Sequence, residues 1–271
     1  MLAKKHLWYR NRLKLSKKCL SGLCSDLLAS FLKPPCPLCQ RPVASSAFCI
    51  DCDRQIQSCR WSHHDYRVPT PLPVIAWGTY SGPLKRALHQ LKYQNCPEIA
   101  APLGTDLGRL WQQAWLPKMA LQRQAKGQSI VVVPIPLHPE RLGQRGYNQA
   151  ELIAQGFCRT TGLPCLSQGL LRVRATEAQH QFGLATRQSN LHSAFRLGPD
   201  WTLARMSAAV LLIDDIYTTG ATAQAAATEL QQSGLNVLGI ATVARAILRH
   251  SELTAAGSES EGQKLRLRLD R

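Results

Sequence analysis

Apolar and polar residues follow one another along the chain in blocks whose spacing predicts secondary structure. Short, almost continuous apolar runs predict buried strands, and longer segments with apolar residues at helical spacing predict helices. The predicted strands cover residues 129–137, 169–176, 192–198, 208–213 and 236–245, and the predicted helices cover residues 82–94, 98–115, 148–162 and 221–234. Because strands and helices alternate, the predicted fold class is α/β, with a mostly parallel sheet flanked by helices.

Local signals strengthen some of these assignments. Pro134 and Pro136 should stop the first of the predicted strands, because proline cannot donate a hydrogen bond to a neighbouring strand. Gly162 is the expected C-cap of the helix that precedes it. Residues 208–213 (AAVLLI) contain no polar side chain, which predicts a central strand covered on both faces.

The pattern also divides the chain into parts. No apolar run is long enough for a transmembrane helix, and Ser25 and Asp26 interrupt the apolar residues near the N-terminus, so we expect no signal peptide and a cytoplasmic location. The oligomeric state stays open. The predicted parts are a basic N-terminal helical extension (1–33), a cysteine-dense module (34–60), the α/β domain (75–250) and a disordered tail (251–271).

The charge of the chain points to an anionic partner. The 271 residues include 33 Lys+Arg against 17 Asp+Glu, a formal net charge of +16. Such an excess suits nucleic acid, phosphorylated metabolites or a membrane surface, although general basicity would also produce it.

Four cysteines in the module have metal-ligand spacing. Cys36 and Cys39 form one CxxC pair, and Cys49 and Cys52 form a second. Four thiolates at this spacing can surround zinc in a closed, structural site. Two disulfides or free thiols are the alternatives, but a segment this short would need the metal to fold.

A second motif follows the predicted central strand. Asp214 and Asp215 come directly after the apolar run, where open α/β sheets bind ligands. On a straight strand the two acids would point to opposite faces, but a bend just after Ile213 would let both reach a vicinal diol. Carboxylates there accept hydrogen bonds from ribose hydroxyls and can hold a magnesium ion through water.

The residues after the acids suit a phosphate group. The N–H groups that open a helix form a phosphate cradle, and a glycine lets the backbone approach the ligand. An ordinary helix N-cap is the alternative, since Asp and Thr are common at that position. The cradle is predicted to consist of Thr218, Thr219, Gly220, Ala221 and Thr222.

These segments resemble known families. VLLIDDIYTTGAT (210–222) resembles the phosphoribosyl-diphosphate (PRPP) motif of the type I phosphoribosyltransferases. PIPLHPERLGQRGYNQAELIA (134–154) and TEAQHQFGLATRQSNLHSAF (176–195), behind a double-CxxC module, are similar to the ComF family, which is linked to bacterial competence and DNA uptake. The resemblance covers about 34–245.

The resemblance implies a ligand and a role for each motif. Asp214 and Asp215 would contact the ribose hydroxyls, and the turn at 218–222 would hold the 5-phosphate, with magnesium accompanying PRPP. Arg141 and Arg145 are the nearest cations to the expected pyrophosphate loop at 133–136. Arg145 is our candidate for the leaving pyrophosphate, because a guanidinium fork matches phosphate geometry.

Two kinds of function follow from these roles. The first is a binding protein of the ComF type that holds PRPP or ribose 5-phosphate and is linked to DNA uptake, with single-stranded DNA or the uptake machinery as candidate partners. The second is an active phosphoribosyltransferase of nucleotide or base metabolism, in which a nitrogen nucleophile replaces pyrophosphate at ribose C1. The sequence identifies no acceptor pocket.

Overall fold

The computed structural model describes residues 34–43, 47–61, 72–113, 128–174 and 194–246. The predicted N-terminal extension and tail lie outside these residues, as do Arg187 and Asn190 of the second ComF-like segment. The helices are α1 (Ile50–Gln57), α2 (Gly82–Tyr93), α3 (Ala100–Gln113), α4 (Pro139–Arg145), α5 (Gln149–Thr161) and α6 (Ala221–Gln232). The strands are β1 (Val74–Thr79), β2 (Ile130–Pro134), β3 (Leu170–Arg172), β4 (Phe195–Leu197), β5 (Ala209–Tyr217) and β6 (Asn236–Arg245).

The main sheet confirms the predicted α/β class. Its four strands lie in the order β1-β6-β5-β2, and every neighbouring pair is parallel. The predicted central strand is β5, which lies between β6 and β2. The short strands β3 and β4 pair with each other in antiparallel fashion, in a separate two-stranded sheet.

Two strands differ from the sequence-based prediction. The pattern assigned no element to Val74–Thr79, which is the edge strand β1. The central strand was predicted to end at Ile213, but it continues to Tyr217 because β6 runs beside it as far as Arg245. Pairing with a neighbour, rather than local apolar content, therefore decides where β5 ends.

Helices cover both faces of the sheet. Leu211 and Ile213 of β5 face one apolar cluster, which also contains buried residues of α2, α3 and α5. Val210 and Leu212 face the other cluster, which α6, β3 and β4 complete. Burial on both faces explains why β5 is apolar before its acid pair.

Helices α3 and α5 pack backbone to backbone, which fixes α5 against α3. A Cβ atom on Gly104 would lie 2.2 Å from the carbonyl oxygen of Ile153. A Cβ atom on Gly156 would lie 2.6 Å from the carbonyl oxygen of Ala101. No side chain fits at either position without moving one helix from the other.

The cysteine module packs against the same structure. Buried Phe48, Cys52 and Ile56 belong to the apolar cluster that contains α2 and α3. Gln57 at the end of α1 donates a 2.7 Å hydrogen bond to the carboxylate of Asp106 on α3. That the module and the α/β part are separate domains stays a prediction.

Of the helices that the structure describes, none has the length and apolar content that crossing a bilayer requires.

Candidate functional site

The acid pair and the turn after it lie at one edge of the main sheet. Because the strands are parallel, all four end at this edge, where open α/β sheets carry their ligand sites. Asp214 and Asp215 lie near the end of β5 and are followed by the turn at 218–222. The structure therefore brings these predicted residues together.

Asp215 is buried and bound from within the protein. Its side chain is 4% exposed, and Oδ2 lies 2.6 Å from Nζ of Lys92 in the last turn of α2, whose side chain is 19% exposed. Oδ1 accepts a 2.9 Å hydrogen bond from the N–H of Ile216. A buried carboxylate requires such partners, because an uncompensated buried charge is strongly destabilising. Lys92 is therefore the counter-ion of Asp215.

Asp214 is the more accessible acid. The residue is half-buried, and its Oδ1 accepts a 2.8 Å hydrogen bond from the N–H of Asp215. Unlike Asp215, it has no lysine or arginine within ion-pair distance in the described residues. Asp214 is thus the acid that a ligand entering from solvent meets first.

Packing along β5 departs from strict alternation around the acids. Strict alternation would put Leu212 on the same face as Ile216, and Ile213 on the same face as Tyr217. Instead Leu212 packs with Tyr217, and Ile213 packs with Ile216. The pairing to β6 keeps one register from Leu211 to Tyr217, and its register shift lies earlier, between Val210 and Leu211, so the bend just after Ile213 stays a prediction. The two carboxyl groups lie close enough to interact.

The two acids differ in their protonation chemistry. Burial and the negative charge of Asp215 raise the pKa of Asp214 well above its usual value. Burial alone would raise the pKa of Asp215 too, but the ammonium of Lys92 outweighs it and lowers that pKa. The carboxylate of Asp215 in turn outweighs burial and raises the pKa of Lys92. Lys92 and Asp215 therefore remain ionised, and Asp214 takes up a proton first.

Lys92 was not predicted as a site residue. Its signal in the sequence is its spacing, because Leu84, Leu88 and Lys92 are four residues apart and share one helix face. A lysine on the apolar face of a helix requires a buried anion. The spacing could have identified Lys92 as a buried cation, but not its partner.

The turn at 218–222 is open to solvent. Thr218 and Thr219 are exposed, and the Thr219 hydroxyl accepts a 3.4 Å hydrogen bond from the N–H of Ala221. The next N–H groups, beginning with that of Thr222, belong to the first turn of α6 and have no acceptor within the helix. This arrangement can receive an anion.

The acids do not cap α6. The N-cap position belongs to Gly220, whose φ of 78° lies in the left-handed region, while both acids lie within β5. A Cβ atom on Gly220 would be 2.1 Å from the hydroxyl of Tyr217. The N-cap alternative therefore does not account for Asp214 and Asp215, and the glycine is required by both backbone and packing.

Arg145 and Tyr147 fix the end of α2, which carries Lys92. The guanidinium of Arg145 lies over the ring of Tyr93, 5.6 Å from its centre, and donates to the side-chain oxygen of Gln149. The hydroxyl of Tyr147 donates a hydrogen bond to the carbonyl of Leu91. Arg145 is half-buried near this edge of the sheet, and part of its donor capacity is used within the protein.

Asn148 joins the start of α5 to the end of β2. Its side-chain amide donates a 3.1 Å hydrogen bond to the carbonyl of Ile135. Its side-chain oxygen accepts from the N–H of Ala150 and caps α5, whose C-cap is Gly162 as predicted. In the ComF-like segment 134–154, Asn148 therefore links the start of α5 to the end of β2.

Arg172 on β3 is a further cation that the sequence did not single out. Burial lowers its pKa, and the nearby positive charge of Arg141 lowers it further, whereas the charge of Asp214 opposes the decrease. Its guanidinium lies 5.5 Å from the ring centre of Phe195. Arg141 itself is exposed on α4. Arg172 therefore lies within electrostatic reach of Asp214, and Arg141 lies within reach of Arg172.

The four predicted cysteines form one cluster. The sulfurs of Cys36, Cys39, Cys49 and Cys52 all lie within 4.8 Å of one another. Zn–S bonds of about 2.3 Å in a tetrahedron place sulfurs roughly 3.8 Å apart, so this cluster can hold a zinc ion. It is formed by a turn in which Gln40 donates to the carbonyl of Cys36, and by the start of α1.

The thiols also have the chemistry of metal ligands. Sγ of Cys39 lies 3.4 Å from Sγ of Cys49, which is too far for a disulfide, and the described cysteines are all free. Hydrogen bonds from the backbone and side chain of Arg41 lower the pKa of Cys39 to about 6. A thiolate at neutral pH favours binding of zinc.

Comparison with known proteins agrees with these motifs. No family model matches the chain. The chain is 31% identical to the DNA utilization protein YhgH of Salmonella typhimurium over 201 residues, or 73% of this chain and 78% of that protein. It is 28% identical to Competence protein F of Haemophilus influenzae, covering 78% of this chain and 90% of the other. It is also 27% identical to Competence protein ComFC of Bacillus subtilis, covering 80% of this chain and 79% of that protein. The chain belongs to the ComF family.

Proposed function

We propose that the chain binds PRPP or ribose 5-phosphate at the carboxyl edge of its parallel sheet and takes part in DNA uptake. The observation that supports the ligand is the half-buried Asp214, the more accessible of the two acids, beside the solvent-open turn before α6. The acid accepts hydrogen bonds from the ribose hydroxyls, and the turn at 218–222 receives the 5-phosphate.

The role in DNA uptake is supported by two independent features. Two of the relatives are named competence proteins, and a third is named a DNA utilization protein. The net charge of +16 suits a protein that meets nucleic acid. Direct contact with single-stranded DNA is part of this proposal.

Catalysis is the second candidate function. In a phosphoribosyl transfer, pyrophosphate leaves ribose C1 and a nitrogen nucleophile takes its place. Arg145 and Arg141 are the cations that we assign to the leaving group, because one guanidinium can donate two hydrogen bonds to two oxygens of the same phosphate. Magnesium stays a prediction for PRPP, whose pyrophosphate provides oxygens for that cation.

Ligand titration tests the proposed site. Arg145→Ala should lower the affinity for PRPP by about ten- to a hundredfold, the loss of a charge-assisted hydrogen bond, and should lower that for ribose 5-phosphate much less. Thr219→Val should weaken both ligands together, because the 5-phosphate is common to them. Calorimetric titration of both ligands against both variants provides the measurement.

Arg109→Ala is the matched control, since it removes an exposed arginine that pairs with Asp106 on α3. Both ligands should bind this variant as they bind the wild type. If Arg145→Ala weakens the binding of the two ligands equally, the assignment of Arg145 to the pyrophosphate of PRPP is wrong. Absence of wild-type binding to either ligand would reject the ribose-phosphate site.

Nucleic-acid binding should be strongly dependent on salt. A single-stranded oligonucleotide of mixed sequence should bind at low salt, and its affinity should fall steeply as salt increases, because binding releases counterions. Fluorescence anisotropy at several salt concentrations measures the slope. An affinity that does not change with salt, or no binding at low salt, would contradict direct DNA contact.

A further inference from the structure

The acid pair already has a buried cation. Nζ of Lys92 lies 2.6 Å from Oδ2 of Asp215, and both side chains are largely withdrawn from solvent. The hydroxyl of Tyr147 holds the carbonyl of Leu91, next to Lys92, and Arg145 holds the ring of Tyr93 on its other side. These contacts fix the end of α2, and the ion pair holds the side chain of Lys92 at the acids.

Magnesium does not fit the acid pair as it is built. Magnesium requires near-octahedral oxygen ligands at about 2.0–2.1 Å. Oδ2 of Asp215 is taken by Lys92, and its Oδ1 is taken by the N–H of Ile216. Oδ1 of Asp214 accepts from the N–H of Asp215, so at most Oδ2 of Asp214 is left to a metal, which is one oxygen and not a chelating pair. An ammonium in contact with one of these carboxylates also repels a second cation.

We propose that Lys92 supplies, at the diol end of the site, the positive charge that a divalent cation would otherwise provide. This inference rests on the proposed ribose-phosphate site. Lys92 is a positioning residue: it keeps Asp215 ionised and buried, and it leaves Asp214 facing the ligand. Ribose 5-phosphate, which lacks the pyrophosphate, accordingly binds without magnesium.

Removing the ammonium has a specific consequence. The ion pair of Lys92 is with Asp215, and the charge of Asp214 also acts on Lys92. Without Lys92, the adjacent carboxyl groups of Asp214 and Asp215 would lie at the sheet edge with no ammonium from α2 beside them. Such a pair attracts divalent cations, so the variant should gain a metal site that the wild type does not have.

Manganese provides a test that needs no sugar ligand. With zinc retained in the cysteine cluster, electron paramagnetic resonance should detect one more bound Mn²⁺ in Lys92→Met than in the wild type. Adding Asp214→Asn should remove that ion. Lys85→Met is the matched control, because Lys85 is an exposed lysine on the same helix, and it should behave as the wild type. Equal Mn²⁺ binding in wild type and Lys92→Met would overturn the assignment.

Calorimetry with ribose 5-phosphate completes the test. Wild type and Lys85→Met should bind with the same affinity, within about twofold, without added divalent cation and in magnesium. Lys92→Met should bind at least about tenfold more weakly without added divalent cation and should recover when Mg²⁺ or Mn²⁺ is added. A merely structural lysine would give no recovery by metal.

The wild-type measurement decides the inference even if Lys92→Met does not fold. Wild-type binding of ribose 5-phosphate that requires magnesium would overturn it. Wild-type protein that binds ribose 5-phosphate under neither condition would reject the proposed function, whereas the manganese comparison would still report on Lys92.

Discussion

A chain in which Cys36 and Cys39 are both changed to Ser is expected to purify without zinc and to lose the fold of the module at 34–60. Metal binding to such a site contributes on the order of 10 kcal/mol to folding. The module is short, and its buried Cys36 and Cys52 belong to the apolar cluster that also contains α2 and α3. Loss of the metal should therefore lower the thermal stability of the α/β part as well.

Metal analysis and thermal unfolding of the same preparations check this prediction. The wild type should contain about one zinc per chain. Cys59→Ser is the control, because Cys59 lies at the end of the same module but outside the cluster. It should retain the zinc. Full zinc retention by the double variant would reject the four-cysteine site.

Gly220→Ala should deform the turn before α6 and destabilise the protein by about 2–5 kcal/mol. An L-residue in the left-handed region costs about 1–2 kcal/mol, and forced overlap in a packed site costs about 1–3 kcal/mol. Both apply here, since φ is 78° and the new Cβ would lie 2.1 Å from the Tyr217 hydroxyl. The displaced turn should also lower the affinity for ribose 5-phosphate at least about tenfold.

Gly234→Ala separates backbone strain from the clash. Gly234 has a φ of 82°, but a Cβ atom there would meet nothing within 4 Å. Chemical denaturation should show a loss of about 1–2 kcal/mol for this variant, and its ligand affinity should stay that of the wild type. Equal destabilisation by the two alanines would show that the contact with Tyr217 has no effect.

Features that depend on neighbouring residues were predictable from the sequence, whereas features that depend on contacts with distant residues were not. The cysteine cluster was predictable because CxxC pairs place sulfurs together within a single turn. The C-terminal end of α5 was predictable because Gly162 acts through its own backbone conformation. The end of β5 was not, because the strand continues only where β6 pairs with it.

Edge strand β1 was missed for a related reason. Its apolar run, VIAW, is only four residues long, follows a proline-rich segment and ends at Gly78, which weakens the strand signal. Val74–Thr79 becomes a strand by pairing with β6, which lies far away in the sequence. Strand formation at an edge is thus a property of the assembled sheet.

The sequence by itself determined the α/β class, the four cysteines and the acids before the turn, because each depends on neighbouring residues in the chain. Only the tertiary structure brought Lys92 to Asp215 and Arg172 within reach of Asp214. Periodicity shows which side of a helix is buried, but it does not identify the residue that the buried side meets. The cation at the acid pair depends on how α2 docks against the end of β5, and that docking is fixed by packing across the whole sheet.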